Sequence, residues 1–88
     1  MEPVNKQDLI VFNYFLIHGT SWITNDELCE LLPISDSSVK KRTKLLADAG
    51  VLERMIDRPR SWFRLNPKSL NSNPLAKRLN EALKDHTS

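Results

Sequence analysis

The stretch Leu32–Leu52, LPISDSSVKKRTKLLADAGVL, decides the fold. Pro33 ends the helix before it, because the residue preceding a proline is pushed out of the helical region. Ser35 is an N-cap candidate, its hydroxyl placed to accept an orphan backbone N–H of a helix that starts just after it. That helix runs to about Ala49 and stops at Gly50. Its inner stripe is Val39, Thr43 and Leu46, at i, i+4 and i+7. With Val39 at zero and about 100° per residue, Lys40 lies near 100°, Lys44 near 140°, Ser37 near 160° and Lys41 near 200°. Three lysines therefore share the outward side.

Downstream of Gly50 the period changes. Val51–Ile56 and Ser61–Leu65 are short strand-like runs around Asp57-Arg58-Pro59-Arg60. They predict a β-hairpin with a four-residue polar tip, where proline is tolerated because no ladder donor is required. Asn66–Asn73 is rich in Asn, Ser and Pro and reads as a linker. Pro74 opens a last helix to about Asp85, with Leu75, Leu79, Ala82 and Leu83 on one face.

Upstream of Pro33, Thr24 and Glu27 have the spacing of a capping box, opening a helix of about Asn25–Leu32. Leu28, Leu31 and Leu32 are its apolar stripe. Ser21-Trp22-Ile23-Thr24 is a short run of strand formers. The first helix spans about Asn5–His18, with Asn5 as N-cap and Gly19 as C′ residue. Leu9, Ile10, Val11, Phe12, Tyr14, Phe15, Leu16 and Ile17 make it apolar almost all round. Such a helix is buried on more than one side, so its second side needs a partner.

At 88 residues the chain has room for one small domain. No apolar run approaches the roughly 18–20 residues of a membrane span, and the acidic N-terminus is unlike a signal peptide. One cysteine, Cys29, excludes an internal disulfide, and with only His18 and His86 it leaves no zinc site of the usual spacing. Charge is uneven. Residues 1–34 carry one positive and five negative groups, a net of −4. Residues 35–64 carry eight positive and four negative groups, a net of +4. A basic block of this kind is either a footprint for a phosphate backbone or a solvated charged face.

The order is helix, strand, helix, helix, hairpin, helix, with the second and third helices joined by a turn of helix-turn-helix length. Residues 32–52 resemble the MarR-type winged-helix regulators in Leu32, Ile34, Ser35, Ser37, Ser38, Val39, Lys41, Leu46, Gly50, Val51 and Leu52. Trp62-Phe63-Arg64-Leu65 is similar to the aromatic-then-leucine close of their wings. The resemblance spans about residues 8–65. Two positions depart from it: Pro33 stands where glycine is usual, and Thr43 replaces a large apolar residue. The compact size also resembles the small pilus-operon regulators of this fold. The resemblance implies an α+β, mostly α, winged helix-turn-helix (α-β-α-α-β-β) over residues 1–66. Residues 67–88 then form a linker and C-terminal helix, a candidate dimerisation element.

In that setting Lys40, Lys41 and Lys44 are candidates for major-groove contact, with Ser37 and Ser38 as hydrogen-bonding groups near the helix N-terminus. Arg58 and Arg60 flank Pro59 and are candidates for phosphate or minor-groove contact; edge protection of the hairpin is the alternative. Arg54 and Arg64 either flank that surface or keep the sheet soluble. Arg42, nearer the inner stripe, suits an ion pair with Glu27 or Glu30 as well as it suits DNA. Trp22, Trp62 and Phe63 suit packing better than base stacking, and Cys29 suits a small core position. No phosphate-cradling glycine loop, nucleophile motif or metal-spaced carboxylate cluster points to an enzyme, and no cofactor is implied.

The expected function is a sequence-specific regulator of transcription that binds double-stranded DNA as a homodimer in the cytoplasm, at the nucleoid in a prokaryote. Two alternatives stand beside it. One is a winged-helix protein-interaction module with an acidic partner; the other is a DNA-binding accessory factor of replication, plasmid maintenance or phage recombination.

Overall fold

Asn5 begins the first helix as its side chain predicts. Its Oδ1 accepts the Gln7 N–H at 2.8 Å and its carbonyl accepts the Leu9 N–H at 3.1 Å, opening α1 (Lys6–His18). A computed structural model describes residues 4–18 and 21–87, with the last two as backbone only. Gly19, the expected C′ residue, lies outside the described residues. Among these residues no helix is long and apolar enough to cross a membrane.

β1 (Ile23–Thr24) leads straight into α2 (Asn25–Leu31). Thr24 closes the hydroxyl half of the capping box: its Oγ1 accepts the Glu27 N–H at 3.3 Å. Leu32 caps the helix in an extended conformation and Pro33 follows. The Ser35 hydroxyl then accepts the Ser38 N–H at 3.3 Å and opens α3 (Asp36–Asp48). At the far end Gly50 takes φ 86°, the left-handed conformation glycine adopts without steric cost. The Gly50 N–H reaches Ala47 O at 3.0 Å and the Val51 N–H reaches Leu46 O at 2.9 Å. That pair of bonds is a Schellman motif, and it satisfies carbonyls the helix would leave orphaned.

β2 (Leu52–Asp57) and β3 (Arg60–Leu65) form the antiparallel hairpin, and β1 pairs with the other edge of β3, giving the order β1-β3-β2. The turn is shorter than the sequence predicts. Asp57 pairs with Arg60, so only Arg58 and Pro59, joined by a cis peptide, remain outside the ladder. Polarity marked Asp57 and Arg60 as loop, but opposite charges directly across a ladder suit a strand end.

The segment read as a linker contains a helical turn, α4 (Ser69–Ser72), and is tied down by its own polar side chains. Asn66 Nδ2 donates to Gly50 O at 3.2 Å, and Asn73 Nδ2 donates to Ala49 O at 2.6 Å. Ser69, almost fully buried, donates its hydroxyl to Asn66 O at 2.6 Å. Asn73 also caps α5 (Pro74–Thr87), its Oδ1 accepting the N–H groups of Leu75 and Ala76 at 3.0 and 3.2 Å. The asparagines that make the segment look like loop thus bind it to the end of α3.

The core joins Val11, Phe12 and Phe15 of α1 to Leu28, Val39, Leu46, Val51, Phe63 and Leu65, with Ala76 and Leu79 of α5. α1 packs on α3 and β3 with one side and on α5 with another. Within one chain, α5 therefore covers part of the apolar surface of α1, while Ile10 stays half-buried and Ile17 exposed. The radius of gyration, 12.3 Å, is close to the roughly 12 Å of a compact chain this long, so α5 folds back rather than projecting.

Candidate nucleic-acid interface

The inner stripe of α3 fixes what its outer face presents. Val39, Thr43 and Leu46 are buried, which leaves Ser37, Lys40, Lys41 and Lys44 exposed and Ser38 half-buried. Among the described residues none of the three lysines forms an ion pair. The serines belong to the capping network as well. The Ser35 hydroxyl donates to Ser38 Oγ at 2.9 Å, and Ser37 Oγ lies 3.4 Å from Ser35 Oγ. Ser38 keeps its own proton free for a further acceptor.

The hairpin brings the arginines to the same side. Arg58 and Arg60 are exposed at the turn. Arg60 and Lys40 line one cleft of about 170 Å³, with Thr24, Asn25, Asp26, Pro59 and Ser61 as its other walls. Adjoining it, and sharing Pro59, Arg60 and Ser61 with it, is a second depression lined by Arg54, Ile56 and Arg58. Lys40 and Arg60 thus meet across the gap between the helix-turn-helix and the hairpin. Lys41, Lys44 and Arg58 stay outside that cleft. Arg54, undecided from the sequence, joins the arginine group.

Two other arginines are engaged elsewhere. Arg42 pairs with Asp8 of α1, not with Glu27 or Glu30 as its position suggested: Nη1 stands 3.5 Å from Oδ1, both side chains being 16% exposed. Among the described residues, Asp8 Oδ1 and Arg42 Nε find no hydrogen-bond partner. Burial pushes the Asp8 carboxyl above its ordinary range, against the pull of the guanidinium. Arg64 binds Glu53 Oε2 through Nε at 2.9 Å and Nη2 at 2.8 Å, and lies 4.5 Å over the Trp22 ring. It braces the outer face of the sheet.

The aromatic residues are divided by strand alternation. Phe63 points into the core, while Trp62 pairs with Met55 and Thr24 on the opposite face. The Cys29 thiol is pushed up by burial and by its contact with Asp36, whose carbonyl lies 3.9 Å from Sγ. That environment disfavours the thiolate a redox switch would use. His18 stacks on Tyr14 at 4.3 Å.

Asn25, Asp26 and Ser61 are the wall residues the sequence did not single out. The signal that points to Asn25 is Thr43. A hydroxyl in the inner stripe of a helix needs a partner, and Thr43 Oγ1 finds Asn25 Oδ1 at 2.8 Å.

A three-helix unit with a helix-turn-helix, a three-stranded antiparallel sheet and a basic hairpin beside the exposed face of its third helix is a winged helix-turn-helix, here with an added C-terminal helix packed into the core. No protein-family model and no curated protein sequence matches the chain significantly. Among solved structures it is similar to a possible transcriptional regulator from Methanosarcina mazei Go1, with a TM-score of 0.71 and 22% identity over 96% of this chain and 73% of that one. It is also similar to a protein from Archaeoglobus fulgidus, with a TM-score of 0.60 and 15% identity over 93% of this chain and 86% of the other. These likenesses establish the fold.

Proposed function

We propose that this chain is a sequence-specific regulator of transcription that binds double-stranded DNA. α3 enters the major groove, and the β2–β3 wing lies on the backbone or in the minor groove. The observation that carries the reading is the cationic surface in which Lys40 of α3 and Arg60 of the wing line one cleft. Lys40, Lys41 and Lys44 reach base edges and flanking phosphates, Ser37 and Ser38 supply hydroxyls, and Arg58 and Arg60 hold the backbone. The protein works by binding, not catalysis, without a cofactor, as a homodimer in the cytoplasm.

The test is selection of bound DNA from a random duplex library, followed by affinity measurements on the selected site. A consensus should emerge, and log K should fall with log salt at about −0.9 per phosphate neutralised. The double variant Lys41→Ala, Lys44→Ala should stay folded, bind at least tenfold more weakly and show a shallower slope. A library that returns no consensus, with affinity no better than for random duplex, defeats the sequence-specific reading. Wild-type affinity in the double variant removes α3 from the interface.

A further inference from the structure

The Thr43–Asn25 contact explains a residue that otherwise weakens the core. Thr43 is fully buried at a position where an apolar side chain would pack better. A buried hydroxyl is costly unless it is hydrogen-bonded. Three acceptors surround its oxygen: Asn25 Oδ1 at 2.8 Å, Val39 O at 3.0 Å and Lys40 O at 3.2 Å. The two carbonyls already serve the helical ladder of α3. The single hydroxyl proton therefore goes to the nearest and least engaged acceptor, the Asn25 carbonyl, eighteen residues away on another helix.

This fixes the direction of the Asn25 amide. With its oxygen held toward α3, the planar group must turn its two N–H bonds elsewhere. No described group accepts from them, and Asn25 is part of the wall of the cleft shared with Lys40, Arg60 and Ser61. The cleft holds about 170 Å³, room for one tetrahedral oxyanion and a few waters at roughly 30 Å³ each. Lys40 and Arg60 bring two positive charges to its walls and Asp26 brings one negative. With so small a net charge, neutral donors must carry part of the recognition of an anion. At the start of α2 the Glu27 N–H is already taken by Thr24.

We propose that this cleft seats one phosphate of the DNA backbone, the Asn25 amide donating to a phosphate oxygen and Thr43 acting as the positioning residue that aims the amide. The inference rests on the DNA-binding reading above and adds to it a contact between wing and helix-turn-helix. A phosphate held there fixes the angle at which α3 enters the groove, because it is gripped from both elements at once. Contacts of this kind set position and orientation without reading sequence.

The experiment measures duplex affinity against salt for the wild type, Asn25→Asp, Thr43→Val and Arg60→Ala, together with the Asn25 side-chain amide resonances of the wild type. Asn25→Asp keeps an acceptor for Thr43 but replaces the donor by a negative charge, and should bind at least tenfold more weakly. Thr43→Val keeps the shape, frees the amide and should weaken binding by about threefold, part of one charge-assisted hydrogen bond. Because it removes no charge, its salt slope should match the wild type, whereas Arg60→Ala should make the slope shallower by about 0.9. In the wild type, adding duplex should shift the Asn25 amide resonances.

Wild-type affinity in Asn25→Asp would mean that the carbonyl faces the cleft, and would overturn the proposal. So would Asn25 amide resonances that do not move on adding duplex, a readout that needs no variant to fold. Inorganic phosphate that shifts them to the same end point at low millimolar concentration, with no further change on adding duplex, would make the cleft a free-anion site and overturn the assignment to DNA. If Lys41→Ala, Lys44→Ala weakens binding while Asn25→Asp and Thr43→Val do not, this inference alone falls. If the wild type binds no duplex, both fall.

Discussion

At the scale of single residues, the least satisfied polar contact described in the fold is the one between Asp8 and Arg42. It joins α1 to α3 through a 3.5 Å ion pair, too long for a good hydrogen bond, with Asp8 Oδ1 and Arg42 Nε left without hydrogen-bond partners among the described residues. Desolvation of two charges offsets much of what their attraction returns. Burial raises the Asp8 carboxyl above its ordinary value of 3.8, so the folded state holds the proton more tightly than the unfolded chain does. The sign of the pH dependence follows. Asp8 contributes most to stability below 3.8, and that contribution is lost as pH rises through its raised value. The stability of the wild type relative to Asp8→Asn should therefore decline across this window, measured as the difference between their urea midpoints at each pH. A difference that instead grows with pH would show that the guanidinium, not burial, governs the carboxyl. None of this was legible from spacing. Arg42 was visible as a charge near the inner stripe, but helical periodicity cannot tell which helix of the fold will face it. The Asn25–Thr43 bond was hidden for the same reason: residues eighteen apart on two helices share no period, and only the misplaced hydroxyl hinted that a partner existed.

At the scale of elements, the caps were legible because capping chemistry is local. Asn5, Thr24, Ser35 and Gly50 each act within four or five residues of chain, and each takes the role its side chain or its missing Cβ suggests. The hairpin tip and the Asn66–Asn73 segment were less legible, since polarity alone cannot separate a strand end from a turn or a tied segment from a loose one. The wing carries a prediction at this scale. Its turn is only Arg58-Pro59, so the two arginines stand on a short, ladder-braced tip. Phosphate contacts from such a tip should position the protein more than they select sequence. Arg58→Ala and Arg60→Ala should each lower affinity several-fold and leave the selected consensus unchanged. Should the consensus shift at positions flanking the α3 contacts, the wing is reading the minor groove, where arginine senses groove width.

At the scale of the whole molecule, α5 has two obligations. One face buries Ala76 and Leu79 completely against the chain's own core. Truncating one buried leucine typically costs about 2–5 kcal/mol, a large share of the roughly 4–13 kcal/mol expected for a chain this long. A chain ending at Asn73 should therefore unfold, and cannot serve as a monomeric control. What α5 leaves uncovered is a depression of about 310 Å³ between it and α1, lined by Lys6, Leu9, Ile10, Asn13 and Leu83. One turn beyond Asn13 on the same side of α1, Ile17 is 68% exposed. A second copy related by a twofold axis would cover this stripe with its equal, the commonest oligomer geometry. A specific interface of about 800 Å² per partner would take roughly one seventh of the 5824 Å² of surface. Such a dimer would set two copies of α3 about 34 Å apart and require a near-palindromic site. Sedimentation equilibrium at tens of micromolar should give twice the monomer mass. Ile17→Asp, a change at an exposed position that leaves the core intact, should shift the mass toward the monomer and weaken binding to the palindrome more than to one half-site. A wild-type monomer at that concentration, binding a single half-site as tightly as the full one, would limit α5 to its role in the core of its own chain.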